Sequence, residues 1–398
     1  MQIVVAGGGP AGATCARTLA RAGVRAILIE ASPLADKPCA GGLPSMLLER
    51  YQIPELIIKK KATGVIFQAP SGHRVNTEFP EDQCIATVIR REFDRHLRWL
   101  AEDAGAIMVT GRVLGYEEKG NKLLVRYKGE DGNSRTTEAD YIVGADGAWS
   151  RIAKQTMGRR LDMVVAMQEQ IRPEKSRLEE LGPNCVFNFS PAVGRDFYGW
   201  IFPRDESVSI GVGTRMSNRD QLPGYLERMK ELHSDLLEGG EIVTRNGAMI
   251  PCEQYHQHGS RRALLVGDAA GFVLPACGEG IYFAMRSGEI AAENLKKLGM
   301  TRSDIIVSKY TDMVNHEFSP VFRYFEKIER ITYATPQNRE VFVRLAEDRF
   351  MAQKILSAFA SKERRRTPIF KKIGVMFKLL GLRLKVATSI SRKPGFGK

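Results

Sequence analysis

The chain lacks the features of membrane-spanning, secreted and zinc-binding proteins. It has no run of about 18 apolar residues, which argues against a spanning helix. Its six cysteines are widely separated and form no C-x-x-C pair, which argues against disulfides and zinc and for a reducing cytoplasm. Because the sequence opens directly in a predicted strand, we expect no signal peptide. We therefore expect a cytoplasmic protein whose 398 residues form two or three domains.

Acidic residues are scarce at the carboxyl end. Residues 362–398 hold one acidic residue against twelve lysines and arginines, so most of the net charge of +13 lies there. Residues 369–386 place apolar side chains at helical intervals and lysines on another side, a pattern that favours an anionic membrane surface. The alternative is a helix packed on the protein's own body with a solvated cationic face. We expect peripheral membrane association and, because no nucleic-acid module is present, no nucleic-acid partner.

The first thirty residues follow the order strand, glycine turn, helix, strand, acid. Residues 7–12 (GGGPAG) follow an apolar run, and Glu30 ends a second run. Gly7 permits the tight turn, Gly9 lets the backbone approach a pyrophosphate, and Gly12 lets the helix pack closely. The helix N-terminus would face the pyrophosphate, and Glu30 would accept hydrogen bonds from a ribose diol. The pattern predicts dinucleotide binding.

Two further glycine–acid clusters follow predicted strands, at residues 144–147 (GADG) and 267–271 (GDAAG). An aspartate at the carboxyl end of a strand can reach a ligand that lies across the sheet. Nicotinamide dehydrogenases do not need the second cluster. The three-part set resembles the flavoprotein hydroxylase superfamily. That resemblance implies bound FAD and an α/β fold, with a Rossmann-like domain of the p-hydroxybenzoate hydroxylase type, an inserted and mainly antiparallel β substrate domain, and a C-terminal helical region.

The same resemblance assigns roles to individual residues. Asp268 would hold the ribityl chain, and residues 278–281 would place a helix N-terminus under the pyrimidine edge of the flavin, favouring its anionic reduced form. Arg90 matches an arginine near the flavin chain, with Arg91 as a rival and a solvated charge at a helix start as the alternative. The expected cofactor-binding residues are Gly7, Gly9, Ala11, Gly12, Glu30, Ala31, Gly41, Gly42, Arg90, Asp146, Gly147, Asp268, Gly271, Gly278, Gly280 and Ile281.

Six segments, in order along residues 1 to about 360, are similar to the geranylgeranyl reductases that act on chlorophyll or bacteriochlorophyll side chains. They are 38–44 (PCAGGLP), 90–94 (RREFD), 144–151 (GADGAWSR), 198–203 (YGWIFP), 267–271 (GDAAG) and 278–284 (GEGIYFA). The resemblance implies an FAD-dependent reductase that saturates isolated double bonds of a geranylgeranyl chain. A hydride would come from reduced flavin together with a proton, and NADPH or reduced ferredoxin would be the electron donor. The prenyl headgroup stays open between a pigment, a diphosphate and a lipid.

Six aromatic residues fall within residues 187–202, mostly at strand spacing: Phe187, Phe189, Phe197, Tyr198, Trp200 and Phe202. Such a face suits a long apolar chain leaving water, although Phe187 and Phe189 also fit ordinary sheet core. By the family resemblance, the substrate contacts Tyr198, Trp200, Phe202 and Pro203. The expected catalytic residues are Cys39, Tyr198 and Trp200. Cys39 or Tyr198 would donate the proton, with a small buried filler as the alternative role of Cys39.

The chain's organisation predicts an FAD-binding domain at 1–58, 85–158 and 258–300, and a substrate-binding β domain at 59–84 and 159–257. A helical region at 301–361 and the basic tail at 362–398 follow. Helices are predicted at 91–104, 220–233 and 278–298, and strands at 106–110, 112–118, 122–128 and 135–143. Residues 63–69 and 73–79 are predicted to form a hairpin.

Other functions are compatible with these patterns. The alternatives are a flavin monooxygenase or halogenase of the same superfamily, a menaquinone side-chain reductase, and a non-catalytic membrane-bound isoprenoid carrier. No metal site is expected, because the pair His256 and His258 has no third ligand at suitable spacing. We expect both histidines in an exposed turn before the strand at 263–267.

Overall fold

The computed structural model describes residues 1–298 and 303–361. The strands are β1 (Gln2–Ala6), β2 (Arg25–Glu30), β3 (Gly42–Pro44), β4 (Ile58–Ala62), β5 (Gly64–Gln68), β6 (Arg74–Glu78), β7 (Ile85–Val88), β8 (Ile107–Lys119), β9 (Lys122–Gly129), β10 (Ser134–Ala139), β11 (Tyr141–Gly144), β12 (Met163–Arg172), β13 (Asn184–Asn188), β14 (Gly199–Pro203), β15 (Val208–Arg215), β16 (Glu241–Pro251), β17 (Gly259–Ser260) and β18 (Ala263–Leu265). The helices are α1 (Pro10–Arg21), α2 (Ser45–Tyr51), α3 (Arg90–Asp103), α4 (Arg151–Met157), α5 (Lys175–Leu181), α6 (Leu222–Glu231), α7 (Ser234–Leu237), α8 (Ile281–Leu298), α9 (Ser303–Thr332), α10 (Pro336–Leu345) and α11 (Arg349–Ala360). The tail at 362–398, for which we predict a membrane-binding helix, lies outside the described residues.

The described chain forms two compact units, each built from three stretches of sequence. Of the described residues, unit 1 comprises 1–37, 89–164, 249–298 and 303–326, and unit 2 comprises 38–88, 165–248 and 327–361. These limits differ from the predicted domains. Residues 38–58 and 85–88 lie in unit 2, and residues 159–164, 249–257 and 303–326 lie in unit 1. Strand pairing and packing account for the first and last of these differences. Strand β3 pairs with β7 of unit 2, and Tyr310 of α9 donates a hydrogen bond to the Leu265 carbonyl of unit 1 (2.8 Å).

Unit 1 is built on an eight-stranded sheet in the order β10-β9-β8-β2-β1-β11-β18-β17. The five strands from β8 to β18 are parallel, and their residues in β1, β11 and β18 are almost all buried and apolar. Such continuous apolar strands are typical of a parallel sheet covered on both faces. The strand order reverses at β1, which lies between β2 and the much later β11. A reversal of this kind opens a ligand-binding crevice at the carboxyl ends of the strands.

Helices α1 and α8 pack closely in unit 1 because small residues face each other. A Cβ at Gly288 of α8 would lie 2.2 Å from the Ala11 carbonyl oxygen of α1. Farther along, the ring centroids of Phe318 and Phe322 in α9 each lie 4.9 Å from that of Phe283 in α8. Helix α9 therefore packs its aromatic face on α8 of unit 1.

Most of the predicted elements are confirmed, including the hairpin β5–β6 and helices α3, α6 and α8. The prediction of one strand over 135–143 was wrong. The chain forms β10, antiparallel to β9, and then β11, parallel to β1, with a break at Asp140. Conversely, the two runs predicted at 106–118 form the single strand β8, with a register shift near Gly115. Apolar patterning marks strand residues, but the pairing partner decides where a strand ends.

Unit 2 contains a seven-stranded sheet in the order β16-β12-β15-β14-β13-β5-β6 and a smaller sheet in the order β3-β7-β4. Pairing is antiparallel in the small sheet, between β13 and β14, between β14 and β15, and between β5 and β6, whereas β13 and β5 are parallel. One face of the large sheet buries Val186, Ile201 and Val212 under helix α6. The opposite face carries the aromatic residues described below. Among the described residues, no helix is both long and apolar enough to cross a bilayer.

Candidate functional site

The three glycine–acid motifs lie at one edge of the unit 1 sheet. The register pairs Ala6 with Gly144 and Gly144 with Leu265, so β1, β11 and β18 end side by side. Ile29 of β2 is level with Ala6 on the other side of β1. Because these strands are parallel, the residues that follow them share the edge where α/β proteins bind ligands. The convergence of the three motifs is confirmed.

Three glycines of the first motif are glycines for different reasons. Gly7 has φ +104°, and a Cβ there would lie 2.4 Å from the Ala145 carbonyl oxygen. A Cβ at Gly12 would lie 1.9 Å from the Gly7 carbonyl oxygen. Gly9 has φ −72°, and no described residue beyond its chain neighbours comes within 4 Å of where its Cβ would be. Packing therefore explains the glycines at 7 and 12 but not at 9, where the close approach of a ligand is a sufficient reason.

Gly9 immediately precedes α1, and Ala11 lies in its first turn. The first N–H groups of a helix have no partner within the helix, and its dipole favours negative charge there. An open glycine at this position leaves room for a phosphate oxygen to approach those N–H groups. This part of the structure therefore fits the pyrophosphate of a dinucleotide.

Glu30 lies at the end of β2 and is already hydrogen bonded. Its Oε2 accepts the Gly8 N–H (2.5 Å) and its Oε1 accepts the Ser32 N–H (2.8 Å). Each carboxylate oxygen has a second lone pair, so the group retains the capacity to accept hydrogen bonds from a ribose diol. Beside it lies an open cavity of about 380 Å³ lined by 31–35, 110–112 and 128–130, within the size range of small-molecule pockets. Ala31, one of the predicted cofactor residues, lines this cavity.

Arg98 holds the glycine turn at Gly8 and the loop after Glu30, and it is absent from the sequence-based predictions. It is 8% exposed, and its guanidinium donates hydrogen bonds to the carbonyls of Gly8 (3.0 Å) and Pro33 (2.5 Å). Its position eight residues after Arg90 and four after Asp94 places three charged residues on the buried side of α3. These three residues recur every four positions, the spacing at which a helix normally buries apolar side chains. In the sequence, this spacing was the indication that the buried side of α3 is not ordinary core.

Arg90 is buried, and this excludes the alternative of a solvated charge at a helix start. Its Nε and Nη2 donate to the two carboxylate oxygens of Asp94, at 3.0 Å and 2.9 Å. Arg91, its rival for the flavin chain, has an exposed side chain. The paired geometry holds the Arg90 guanidinium in one orientation. Its contact with the flavin stays a prediction.

The Asp146 carboxylate accepts hydrogen bonds from three groups at the start of α4. Its Oδ2 accepts the N–H groups of Arg151 (2.7 Å) and Ile152 (3.3 Å), and its Oδ1 accepts the Ser150 hydroxyl. The carboxylate therefore caps the N-terminus of α4. Burial raises the pKa of the Asp146 carboxyl, while these hydrogen bonds act in the opposite direction. Gly147, the next residue, has φ +80°. This left-handed backbone conformation is sufficient to explain a glycine at that position.

Asp268 lies in the turn after β18, which the Ser287 hydroxyl holds by accepting the Gly267 N–H (2.9 Å). The Asp268 carboxylate is 3.2 Å from the Nζ of Lys37, a residue absent from our predicted set. Gly280 is the residue before α8, and a Cβ there would lie 3.4 Å from Asp268 Oδ1. The third motif and the start of α8 are thus adjacent, as the family resemblance implies.

The loop before α8 is fixed by its own hydrogen bonds. The Glu279 carboxylate accepts the Tyr282 N–H (2.9 Å) and caps the helix, and Gly278 has φ +64°. A Cβ at Gly271, with φ +85°, would lie 2.2 Å from the Glu253 carbonyl oxygen. Turn geometry therefore explains Gly271 and Gly278, and α8 begins at Ile281 with its N-terminus near Asp268.

The loop that contains Cys39 belongs to unit 2 and packs on the aromatic strands. Gly41 has φ +80°, and its N–H donates a hydrogen bond to the Cys39 sulfur (3.3 Å). A Cβ at Gly42 would lie 2.6 Å from the ring of Phe202. Gln168 donates to the Cys39 carbonyl (3.4 Å). Cys39, a predicted catalytic residue, therefore lies in the same unit as the predicted substrate residue Phe202, whose ring packs against Gly42, three positions after Cys39.

The predicted aromatic residues form one cluster centred on Tyr198. The Tyr198 ring centroid lies 4.5 Å from that of Phe197, 5.4 Å from that of Phe187, and 6.2 Å from those of Phe189 and Trp200. The sequence did not indicate that three distant residues would join them. The aromatic cluster, as the term is used below, comprises Phe67, Phe187, Phe189, Phe197, Tyr198, Trp200, Phe202, Tyr333 and Phe342.

Trp200 carries an unsatisfied donor inside this cluster. Its ring covers Gly211, where a Cβ would lie 2.2 Å from Cζ2, and it is 6% exposed. Its indole N–H has no acceptor among the residues that the structure describes. Leaving a buried donor unpaired costs about 1–3 kcal/mol, so such atoms often mark functional positions. Pro203, in the same strand, is fixed by the Thr87 hydroxyl, which donates to its carbonyl (2.7 Å).

Known proteins resemble this chain in sequence and in fold. Residues 1–164 match the family described as FAD binding domain. The chloroplastic geranylgeranyl diphosphate reductase of Arabidopsis thaliana is 30% identical over 91% of this chain and 80% of its own length. The digeranylgeranylglycerophospholipid reductase of Methanocaldococcus jannaschii is 31% identical over 74% of this chain and 77% of its own. A geranylgeranyl bacteriochlorophyll reductase-like structure from Thermoplasma acidophilum has a TM-score of 0.80 at 22% identity, covering 91% of this chain and 96% of that one.

The fold and the strand-end site define an FAD-binding flavoprotein of the p-hydroxybenzoate hydroxylase type. Within that class, similarity over nine-tenths of the sequence shows that the chain belongs to the geranylgeranyl reductase family. The predicted fold class, cofactor class and family are confirmed. In the two described stretches, no group of three His, Cys, Asp or Glu side chains could hold a metal ion.

Proposed function

We propose that this protein is an FAD-dependent oxidoreductase that saturates isolated double bonds of a geranylgeranyl chain. The observation that carries the proposal is 30% identity over 91% of the chain to a relative named for geranylgeranyl reduction. The strand-end site supports the choice of FAD, and the buried aromatic cluster of unit 2 supports a long apolar substrate.

FAD, when bound, would supply a hydride from its reduced ring. We assign its pyrophosphate to the N-terminus of α1 at Gly9, where glycine is unexplained by packing. Glu30 would accept the ribose hydroxyls, and Asp268 would hold the ribityl chain. The positive end of α8 at Ile281 would then favour negative charge on the pyrimidine edge. Lys37 would balance the charge of Asp268, with which it pairs at 3.2 Å.

The substrate residues would act by excluding water and by supplying a proton. An isolated alkene is a very weak base, so its acid must be held close to the carbon in a dry site. The rings of Tyr198, Trp200 and Phe202, each at most 7% exposed, provide such surroundings. We propose Cys39 or Tyr198 as the donor. The Gly41 N–H fixes the sulfur of Cys39, and ring contacts on several sides fix Tyr198.

The electron donor, the substrate headgroup and the membrane contact are also proposals. NADPH or reduced ferredoxin would deliver the electrons. The headgroup of the substrate would be a diphosphate, a glycerolipid or a pigment, since the relatives are named for the first two and the similar structure for the third. The basic segment 362–398 would bring the enzyme to the membrane surface where such chains dissolve.

The test uses the FAD-loaded enzyme, reduced with dithionite under anaerobic conditions and incubated with geranylgeranyl diphosphate and a geranylgeranyl glycerophospholipid. We expect mass gains of two hydrogens for each double bond reduced. The variant Trp200→Ala should lose most of this activity while its flavin absorption spectrum is unchanged. Trp99→Ala removes a tryptophan that is 55% exposed in unit 1, and it serves as the matched control with full activity.

Other outcomes would separate the alternatives. A gain of one oxygen, seen only in air, would identify a monooxygenase, and incorporation of halide would identify a halogenase. Flavin that is bound but not reoxidised by any prenyl compound would support a non-catalytic carrier. Equal turnover by wild type and Trp200→Ala would remove Trp200 from the site.

A further inference from the structure

The side chain of Arg339 is an unusual feature of unit 2. It lies in α10, is 1% exposed, and donates from Nη1 to the carbonyls of Phe189 (3.1 Å), Gly194 (2.8 Å) and Phe197 (3.2 Å), and from Nη2 to that of Arg195. In the described residues its hydrogen bonds go to carbonyl oxygens and to no carboxylate. Burial lowers the pKa of this guanidinium. The guanidinium also lies 4.7 Å from the centroid of the Tyr333 ring. An apolar side chain at this position would leave three buried carbonyl groups and that of Arg195 without this donor, so the position requires a residue with several N–H groups.

The four carbonyls belong to the connection between β13 and β14. This connection carries Phe189, Phe197 and Tyr198, and it leads directly into Trp200. It is tight, because a Cβ at Gly194 would lie 3.0 Å from the Phe197 carbonyl oxygen. Arg339 therefore sets the position of the backbone on which the aromatic cluster is built.

Helix α10 is itself fixed to a second part of unit 2. Glu340 accepts hydrogen bonds from the N–H (3.1 Å) and hydroxyl (2.9 Å) of Ser71, in the turn between β5 and β6. His73 contacts Glu347 at 2.7 Å. Because Glu340 anchors α10 at that turn, Arg339 links the β5–β6 turn to the connection between β13 and β14.

Residues flanking Arg339 add rings to the cluster. The Phe342 ring lies 5.1 Å from that of Phe189, and the Tyr333 ring lies 6.3 Å from it. Successive centroid distances of 6.2, 6.2 and 5.1 Å join Trp200, Tyr198, Phe189 and Phe342. These four rings form a row within the aromatic cluster, three ring contacts long, from Trp200 to the partly exposed Phe342. Phe342 also contacts Phe67, with ring centroids 6.3 Å apart.

We propose that the segment from Tyr333 to Phe342 forms the distal part of the prenyl-binding surface. Phe342 contacts the end of a long chain remote from Trp200, and Arg339 is a positioning residue that holds the ring row in register. This role rests on the proposed function, since it takes the row of rings as the path of the prenyl chain. Chain length is then the property that these residues control.

The test compares prenyl diphosphates of different chain length on the FAD-loaded enzyme. Phe342→Ala should lower kcat/KM about tenfold for the geranylgeranyl compound and less than twofold for the geranyl compound. For any prenyl diphosphate that the enzyme binds but does not reduce, the equilibrium dissociation constant is measured in place of kcat/KM. Phe350→Ala, outside the aromatic cluster on α11, is the matched control with no length dependence.

Arg339→Met should raise KM for the geranylgeranyl compound about tenfold and leave more double bonds unreduced, and Arg339→Lys should recover part of both effects. The exposed Arg349 offers the control Arg349→Met. If Arg339→Met does not fold, Arg339→Lys and Phe342→Ala still decide the question. Equal losses at both chain lengths, or none, would overturn the proposal. A wild-type enzyme that reduces no prenyl compound would instead refute the proposed function.

Discussion

Gly9→Ala is the most direct test of the cofactor site, because the structure predicts little effect on folding and a large effect on FAD binding. No described side chain would meet the new methyl group, and φ of −72° is accessible to alanine. Alanine stabilises by about 0.4–1 kcal/mol through the unfolded chain, and its poor fit at a helix N-cap costs about 1 kcal/mol. The free energy of unfolding of the apoprotein should therefore change by less than about 1 kcal/mol.

FAD binding should respond differently. A methyl group placed where the pyrophosphate approaches α1 overfills the site, which costs about 1–3 kcal/mol. FAD affinity should therefore fall roughly 5- to 150-fold. Titration of the apoprotein, followed by flavin fluorescence, measures the dissociation constant. Thermal unfolding with FAD provides a check, since a ligand at 100 times its Kd stabilises by about 2.7 kcal/mol.

Gly12→Ala is the matched comparison. Its Cβ would lie 1.9 Å from the Gly7 carbonyl oxygen, so this variant should lose stability without any cofactor. If Gly9→Ala bound FAD as tightly as wild type, the pyrophosphate would not lie against Gly9, and the assignment of the α1 N-terminus would be refuted.

Three further predictions address the ribityl site, the tail and the response to acid. Asp268→Asn should remove a charge-assisted hydrogen bond worth about 1.5–3 kcal/mol and weaken FAD binding roughly 10- to 150-fold; an unchanged Kd would exclude the ribityl role. Deleting residues 362–398 should weaken binding to anionic vesicles in a sedimentation assay while FAD content holds; equal sedimentation would refute the anchor. Burial lowers the pKa of His258 from 6.5 to about 4, so the unfolded chain binds the proton more readily. The stability contributed by neutral His258 is present above pH 6.5 and is lost as pH falls. Urea unfolding should show about 2 kcal/mol of this loss between pH 7 and pH 5, and an equal loss in His258→Gln would contradict it.

The prediction for His256 and His258 shows where sequence patterns are informative and where they are not. Both were expected in an exposed turn, and His256 is exposed. His258 is buried, with its ring 4.6 Å from that of Phe272 and its Nε2 3.3 Å from Asn315. Nothing local distinguishes the two histidines. The difference arises because α9 covers one of them, through Thr311 and Asn315, 53 and 57 residues later in the chain.

The cofactor motifs could be predicted because they depend on short stretches of chain. The positive φ of Gly7 and the contact of Gly12 with the Gly7 carbonyl both arise within a single turn and the helix that follows it. Glu30 closes the same unit of strand, helix and strand. Arg98 and Lys37 could not be found in this way. Their partners lie 90 and 231 residues away, and many side chains in a sequence carry the same charge.

The sequence by itself determined the α/β class, the dinucleotide turn, the strand-end acids and the aromatic residues at 187–202, because each is encoded within one or two neighbouring elements. Only the tertiary structure decided that α9 packs on unit 1 as far as Glu326, and that Arg339 and Phe342 complete the aromatic cluster. The contacts of Arg339 and Phe342 join residues more than a hundred positions apart, as with Arg339 and Phe189. Local patterns of polarity are satisfied by many such pairings, and packing of the whole chain selects one of them.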